Sequence, residues 1–239
     1  MNERQDGYGR GVLLALAATL GWSLSGMFVR FVPGLTGWQI NCWRGLFVAI
    51  ALAVIFVGIH RGDALRRLTL IPLPALLFCA GCFAIGSTLY VTALTLASTA
   101  IVSSIGSMAP LFTAVLGRFF AGERPGLATY LAALVAIGGV GFIFADGLGE
   151  GNVLGIATSV LVALFFAGQT VTLRRFRDVD MVPAIAAGGL LVFAIAALLG
   201  DGLAVRPREI GILALMGLVQ LAVPLVLFTR GARTVPAVT

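Results

Sequence analysis

Long runs of apolar residues, separated by short polar segments, follow one another along the whole chain. Each run holds about 20 residues, which is enough for an α-helix to cross a hydrocarbon core of ~30 Å. The runs are continuous rather than alternating with a period of two, so they favour helices over a membrane β-barrel. The pattern predicts eight spans, at residues 11–31, 37–59, 71–92, 98–121, 126–145, 152–173, 182–200 and 209–229.

The composition agrees with a chain that lies in lipid. Of its 239 residues, 59% are hydrophobic and 11% are charged, whereas soluble domains carry about 25% charged residues. The first run stays apolar from Gly11 to about Val29 and similar runs follow it, so we expect a retained span rather than a cleaved leader. The sequence therefore predicts an all-α polytopic membrane protein.

The arginines predict the orientation of the spans. All 16 Lys-or-Arg positions are arginine, and with a cytoplasmic N-terminus twelve of them fall in cytoplasmic segments and three in outside segments. Because positive charge is enriched on the cytoplasmic side of membrane proteins, we expect the N-terminus in the cytoplasm. The net charge of +6 comes from these short loops, so we expect the lipid bilayer as a partner and no nucleic acid.

Two pairs of segments predict an internal repeat. In the first pair, the segment that begins at Gly11 matches the one that begins at Gly155, with an offset of 144 that pairs Trp22 with Phe166. The two segments read GVLLALAATLGWSLSGMFVRF and GIATSVLVALFFAGQTVTLRRF. YVTALTLASTA and FTRGARTVPAV match with an offset of 138, which pairs Tyr90 with Phe228. With five spans in a half, the two halves face opposite ways, and inverted repeats of this kind are typical of secondary transporters.

The repeat also predicts the domain boundaries. We expect a first five-span half at residues 1–147 and a second half at 148–239, which holds three spans and the start of a fourth. The predicted fold is an inverted-topology repeat of five-helix halves. It is a ten-helix carrier fold whose last two helices are absent from this chain.

Several segments resemble the drug/metabolite transporter superfamily, EamA type. The fourth-span signature of the family has a small-residue entry, a mid-helix proline and a Gly-Glu-Arg-Pro exit. It resembles residues 100–125 of this chain, AIVSSIGSMAPLFTAVLGRFFAGERP. GWSLSGMFVRF, the Trp-Arg of NCWRGLFVAI, and YLAALVAIGGVGFIF resemble other spans of the family. The resemblance covers residues 1–145 closely and 152–239 more loosely, and it is greatest for the bacterial aromatic amino-acid exporter branch.

The resemblance implies what the chain does. It implies a ten-helix, inverted-repeat carrier in the bacterial inner membrane that exports amino acids or related small metabolites by alternating access. Nucleotide-sugar and drug or cation carriers of the same superfamily are the alternative. The resemblance gives neither the exact substrate nor the oligomeric state.

Two other function classes lack their sequence signals. A membrane enzyme that acts on lipid needs clustered His, Asp or Glu, or a nucleophile–base pair, and the chain has one histidine. A channel needs a selectivity filter or a polar pore-lining helix. The sequence therefore predicts a carrier rather than an enzyme, with no cofactor and no metal.

Arg44 lies deeper within its predicted span than Arg30 and Arg118, which lie near the ends of theirs. It lies about seven residues into span two, hence ~10 Å below the outer surface. A charge at this depth predicts a functional role, as a structural anchor or a counter-charge for a substrate carboxylate. The competing interpretation is that it snorkels outward or bonds loop carbonyls.

Acidic side chains are missing from the interior of all eight predicted spans, and Glu209 is the first residue of the eighth. Proton-coupled carriers use such a carboxylate or a histidine, and we expect His60 at the membrane interface instead. The pattern therefore favours facilitated diffusion or exchange over proton antiport.

The remaining candidates are polar or amphipathic side chains within the spans. Pro110 is the expected hinge of span four, where nearby hydroxyls can either bond a zwitterion or pack against a neighbouring helix. Glu123 is expected to complement a helix N-terminus rather than act as a gate. Cys79 and Cys82 form a C-x-x-C without a second pair, so we expect packing residues. The candidate cavity residues are Trp22, Ser25, Asn41, Trp43, Arg44, Tyr90, Ser103, Ser104, Ser107, Gln169 and Gln220.

Overall fold

The structure is a computed structural model that describes residues 2–120, 153–200 and 203–234, with isolated positions between 122 and 141. The side chains at 2–8, 25, 26 and 232–234 lie outside the described part. Three predictions fall there and are not addressed by the structure. They concern the fifth span, Glu123 and the side chain of Ser25.

Helices make up the described part of the chain, which contains no strand. The helices are α1 (Asn2–Ser23), α2 (Ser25–Arg30), α3 (Gly37–His60), α4 (Ala64–Thr69), α5 (Leu73–Leu96), α6 (Thr99–Gly106), α7 (Ala109–Phe120), α8 (Val153–Arg175), α9 (Val182–Leu199), α10 (Pro207–Leu215) and α11 (Val223–Thr234), with a π-helical segment, Met216–Ala222, between the last two.

Seven segments of the described residues are long and apolar enough to cross a membrane. They coincide with predicted spans one to four and six to eight. Span one is α1 with α2, span two is α3, span three is α5, and span four is α6 with α7. Span six is α8, span seven is α9, and span eight runs from α10 to α11. The prediction of an all-helical, multi-span chain is confirmed.

The outer surface of the bundle suits lipid rather than water. Large apolar side chains are exposed on it, and Leu198, for example, is 83% exposed. In a soluble protein such a surface would promote aggregation. Here it belongs on the hydrocarbon side of the spans.

Spans two and seven cross at the centre of the bundle. Gly45 and Gly189 meet at the crossing, where a Cβ added to Gly45 would lie 2.9 Å from the carbonyl oxygen of Gly189. Small residues allow membrane helices to approach this closely. Around this pair, span three packs against spans six and seven, and span one packs against span eight.

Three of the seven described spans are not continuous α-helices. Span one breaks at Leu24, and span four breaks after Gly106, where Met108 N–H bonds the Ile105 carbonyl at 2.9 Å. Pro110 is the second residue of α7, a first-turn position where its missing N–H leaves no helical bond unmade. The bend of span four therefore lies just before Pro110. Span eight is interrupted by its π-helical segment.

Candidate functional site

A partly open cavity of about 240 Å³ lies between the spans. Five spans contribute to its wall, and each supplies at least one polar or aromatic side chain. Those side chains include Trp22 of span one, Arg44 of span two, Tyr90 of span three, Gln169 of span six and Gln220 of span eight.

Arg44 belongs to a buried hydrogen-bond cluster beside this cavity. Asn41 and Arg44 are three residues apart in α3, hence on one face of the helix, and that face meets Ser87 of span three. Nη2 of Arg44 donates to Asn41 Oδ1 at 3.0 Å and to Ser87 Oγ at 2.9 Å. Ser87 Oγ in turn donates to Asn41 Oδ1 at 3.0 Å. The guanidinium is thus held from two helices.

The Arg44 side chain neither snorkels outward nor bonds a loop carbonyl in the described structure. It is 5% exposed, and its hydrogen bonds go to the two side chains of the cluster. Among the described residues, no carboxylate forms a salt bridge with Arg44. A buried cation without a counter-charge is costly, and the hydrogen bonds to Asn41 and Ser87 offset part of this cost.

Gln220 reaches the cavity from the π-helical segment of span eight. Its side chain is 4% exposed, and its Oε1 has no hydrogen-bond partner among the described residues. Pro224 follows shortly after and lacks the N–H that a regular helix would use. Single-turn π segments of this kind occur often at functional sites.

Aromatic rings close one side of the cavity. Trp22 meets Phe166 edge-on, with ring centroids 5.9 Å apart, and Phe228 lies 5.3 Å from Trp22. Trp22 and Phe166 both line the cavity. The site therefore combines one buried cation, two amides and an apolar wall.

The comparisons with known proteins agree with this architecture. Residues 9–145 match the model of the EamA-like transporter family. The chain belongs to the EamA-like transporter family. A solved structure titled "Crystal structure of protein" has the same fold, with a TM-score of 0.75 at 19% identity, over 95% of this chain and 80% of its own. A search of curated proteins found no significant match.

This EamA-like chain brings five of the eleven candidate cavity residues to the cavity wall. The five are Trp22, Arg44, Tyr90, Gln169 and Gln220. Asn41 is fully buried behind them and reaches the site through Arg44. These residues lie on five different spans, so no sequence window could have grouped them.

The other candidates lie elsewhere. Trp43 stacks on Phe47 and donates from Nε1 to the Leu203 carbonyl at 3.3 Å, near the end of span two. The candidate serines of span four do not line the cavity, and Ser107 bonds back to the Ser104 carbonyl of its own helix at 2.6 Å. Ser103 and Pro110 are exposed.

A wider opening lies at the bundle end opposite the N-terminus. It encloses about 930 Å³, and its wall includes Arg30, Arg206 and Arg208 together with Glu209. The Glu209 carboxylate accepts from the Arg206 backbone N–H at 3.0 Å. The three arginines are exposed and Glu209 is half-buried, so this opening is more accessible to solvent than the cavity that contains Arg44.

The opposite end of span two is held by a contact between a histidine and an aspartate side chain. His60 Nε2 lies 2.8 Å from Asp180 Oδ2, which precedes span seven. Both side chains are mostly buried, and the His60 ring also contacts Phe56 with a centroid distance of 4.8 Å. His60 thus ends its span in contact with the neighbouring loop.

Ser87 is the cavity residue that sequence reasoning missed. It lines the cavity and holds Arg44, yet it stands among many small residues of span three. Its one signal is the three-residue spacing to Tyr90, which places both side chains on the same helix face.

Proposed function

We propose that the chain is a secondary transporter that moves amino acids or related small metabolites across the bacterial inner membrane by alternating access. The observation that carries this proposal is the central cavity, whose wall combines side chains from both predicted halves in a chain of the EamA-like family. Alternating access around a shared mid-membrane site is the mode of many secondary transporters. The arginine distribution supports a cytoplasmic N-terminus.

Contacts between residues at equal offset support an inverted repeat. Trp22 and Phe166 are 144 positions apart and touch each other. Gly45 and Gly189 are also 144 apart, and each faces the other's carbonyl oxygen, at 2.9 and 2.8 Å from an added Cβ. Equivalent residues that contact each other are expected at a two-fold axis.

A second set of contacts has the same symmetry. Gly21 packs directly against the Pro224 ring, and Gly86 packs against Phe165, with 3.4 Å between an added Cβ and the Phe165 Cβ. The offset of 144 relates Gly21 to Phe165, and the offset of 138 relates Gly86 to Pro224. One contact is therefore the counterpart of the other. This supports halves at 1–147 and 148–239 that can exchange conformations.

The dimensions of the cavity favour a small solute. At about 240 Å³ it lies below the ~300–1,000 Å³ of most small-molecule sites. A nucleotide sugar would exceed it, and a cationic drug would meet the buried charge of Arg44. We therefore place amino acids ahead of the nucleotide-sugar and drug alternatives.

Transport of labelled phenylalanine and threonine into liposomes that contain the purified chain tests this function. We expect saturable flux whose rate does not depend on an imposed pH gradient, because no acidic residue lies in the interior of the predicted spans. Protein-free liposomes are the control. Flux of neither amino acid would contradict the amino-acid assignment, and flux that requires the gradient would contradict the uncoupled mode.

A further inference from the structure

The unsatisfied polar groups of the cavity indicate the chemical class of its ligand, an inference that rests on the transport function proposed above. We propose that Arg44 and Gln220 form a two-point site for small organic carboxylates. The guanidinium binds the carboxylate, and the Gln220 carbonyl accepts a hydrogen bond from an ammonium or hydroxyl group of the same molecule. Both residues line the same cavity.

The first point of the site is the free part of the Arg44 guanidinium. Of its five N–H donors, the two on Nη2 bond Asn41 and Ser87. The side-chain hydrogen bonds of Arg44 to described residues both come from Nη2, which leaves Nη1 and Nε for a ligand, and the residue is 5% exposed. A charge withdrawn from water is stabilised by an opposite charge and by hydrogen bonds. A ligand carboxylate supplies both.

Asn41 and Ser87 act as positioning residues for this group. They come from two different spans and hold one nitrogen of a planar guanidinium, which limits its rotation. Arginine that is fixed in this way binds an anion with little further loss of side-chain freedom. The remaining N–H donors therefore stay available at the cavity wall.

The second point is the side-chain amide of Gln220. It is 96% buried, and its carbonyl oxygen has no donor among the described residues. A buried acceptor without a donor is unfavourable, and the π-helical segment holds it at the cavity. A ligand ammonium or hydroxyl group satisfies it.

The rest of the wall sets the size and polarity of the ligand body. Trp22 and Phe166 offer ring surface, and the volume of about 240 Å³ limits the ligand to a small molecule. The class is thus a small carboxylic acid with a second polar group that donates, which includes amino acids and hydroxy acids. Amines and esters without a carboxylate fall outside it.

Four matched probes test the two points separately. The affinity of the detergent-purified chain is measured by calorimetry for phenylalanine, 3-phenyllactate, 3-phenylpropanoate and phenylalanine methyl ester. We expect loss of the carboxylate, in the ester, to weaken binding about 10–100-fold, and loss of the donor, in 3-phenylpropanoate, to weaken it about 2–10-fold. If the affinity for 3-phenyllactate is close to the affinity for phenylalanine, a hydroxyl group suffices as the donor. Much weaker phenyllactate would restrict the class to amino acids.

Two variants assign each preference to its residue. In R44Q the acid and the ester should bind equally, while phenylalanine keeps its advantage over 3-phenylpropanoate. In Q220M the reverse holds. Phenylalanine should still bind more tightly than its methyl ester, but no longer more tightly than 3-phenylpropanoate. R44K, which keeps the charge, should retain part of the acid preference and serves if R44Q does not fold. Because each result is a ratio within one protein, a general loss of stability does not imitate it.

The outcomes separate this inference from the transport function. Equal binding of acid and ester by the wild-type chain, an unchanged ratio in R44Q, or no binding of any probe would overturn the two-point site. Phenylalanine flux in liposomes together with equal binding would leave the transport function standing. The expected binding ratios without any flux would uphold the site and contradict the transport function.

Discussion

Replacement of Val162 by tryptophan is expected to abolish most amino-acid flux while the protein still folds. Val162 lies in span six and lines the cavity. An indole at this position occupies volume that a substrate must use, and the cavity holds about 240 Å³ in total. Since a single methylene of misfit in a pocket changes discrimination about 10–200-fold, we expect flux at least tenfold below wild type. Labelled phenylalanine uptake into liposomes measures it.

Leu161→Trp is the matched control for this substitution. Leu161 precedes Val162 on the same helix, but its side chain is 43% exposed on the outside of the bundle and does not line the cavity. We expect flux close to wild type, with equal amounts of both variants inserted. Equal flux in Val162→Trp and Leu161→Trp would show that the substrate does not pass through this cavity.

Substitution of Gly45 by alanine is expected to destabilise the bundle at its centre. The added Cβ would lie 2.9 Å from the Gly189 carbonyl oxygen and 2.9 Å from Val192 Cγ1. The oxygen belongs to a helix backbone, so the two spans must move apart. Overpacking of this kind costs about 1–3 kcal/mol, which corresponds to a fall on the order of 2–12 °C in the thermal unfolding midpoint for a chain of this size.

Gly58→Ala provides a control with the opposite sign. Gly58 lies on the same helix as Gly45 and has no atom within 4 Å of an added Cβ. Alanine is favoured over glycine within a helix by about 0.5–1 kcal/mol, so this variant should unfold at an equal or higher temperature. Gly189→Ala should behave like Gly45→Ala. A midpoint for Gly45→Ala at or above wild type would mean that spans two and seven do not cross as described.

The spans themselves were predictable from the sequence. Their signal is local, because about 20 consecutive apolar residues determine a membrane helix whatever its neighbours are. Seven predicted spans match helices of the described chain. The position of Arg44 within span two followed from the same count.

The irregular parts of the spans were not predictable from hydropathy. The break of span four lies before Pro110 rather than at it, since proline is tolerated in the first turn of a new helix. The π-helical segment that carries Gln220 has the same apolar composition as the rest of its span. Such features depend on packing between helices, which a window of apolar residues does not encode.

The composition of the site was predictable only in part. Each polar residue within a span was a reasonable candidate, because polar groups in lipid are costly. However, a hydroxyl group can instead donate to a backbone carbonyl of its own helix, and the side-chain rotamer decides which of the two occurs. Ser107 illustrates this, because its hydroxyl donates to the Ser104 carbonyl. The partner of Arg44 on span three, Ser87, required the relative rotation of two helices.

A counterflow experiment tests the central claim of carrier-type transport most directly. Liposomes that contain the chain are loaded with unlabelled phenylalanine, and the initial uptake of labelled phenylalanine is compared with that of empty liposomes. Alternating access predicts faster, transient accumulation of label in the loaded liposomes. The reason is that the binding site returns to the outside carrying unlabelled phenylalanine and there exchanges it for labelled phenylalanine. Uptake that is unaffected by the internal amino acid and rises linearly with external concentration would contradict this account.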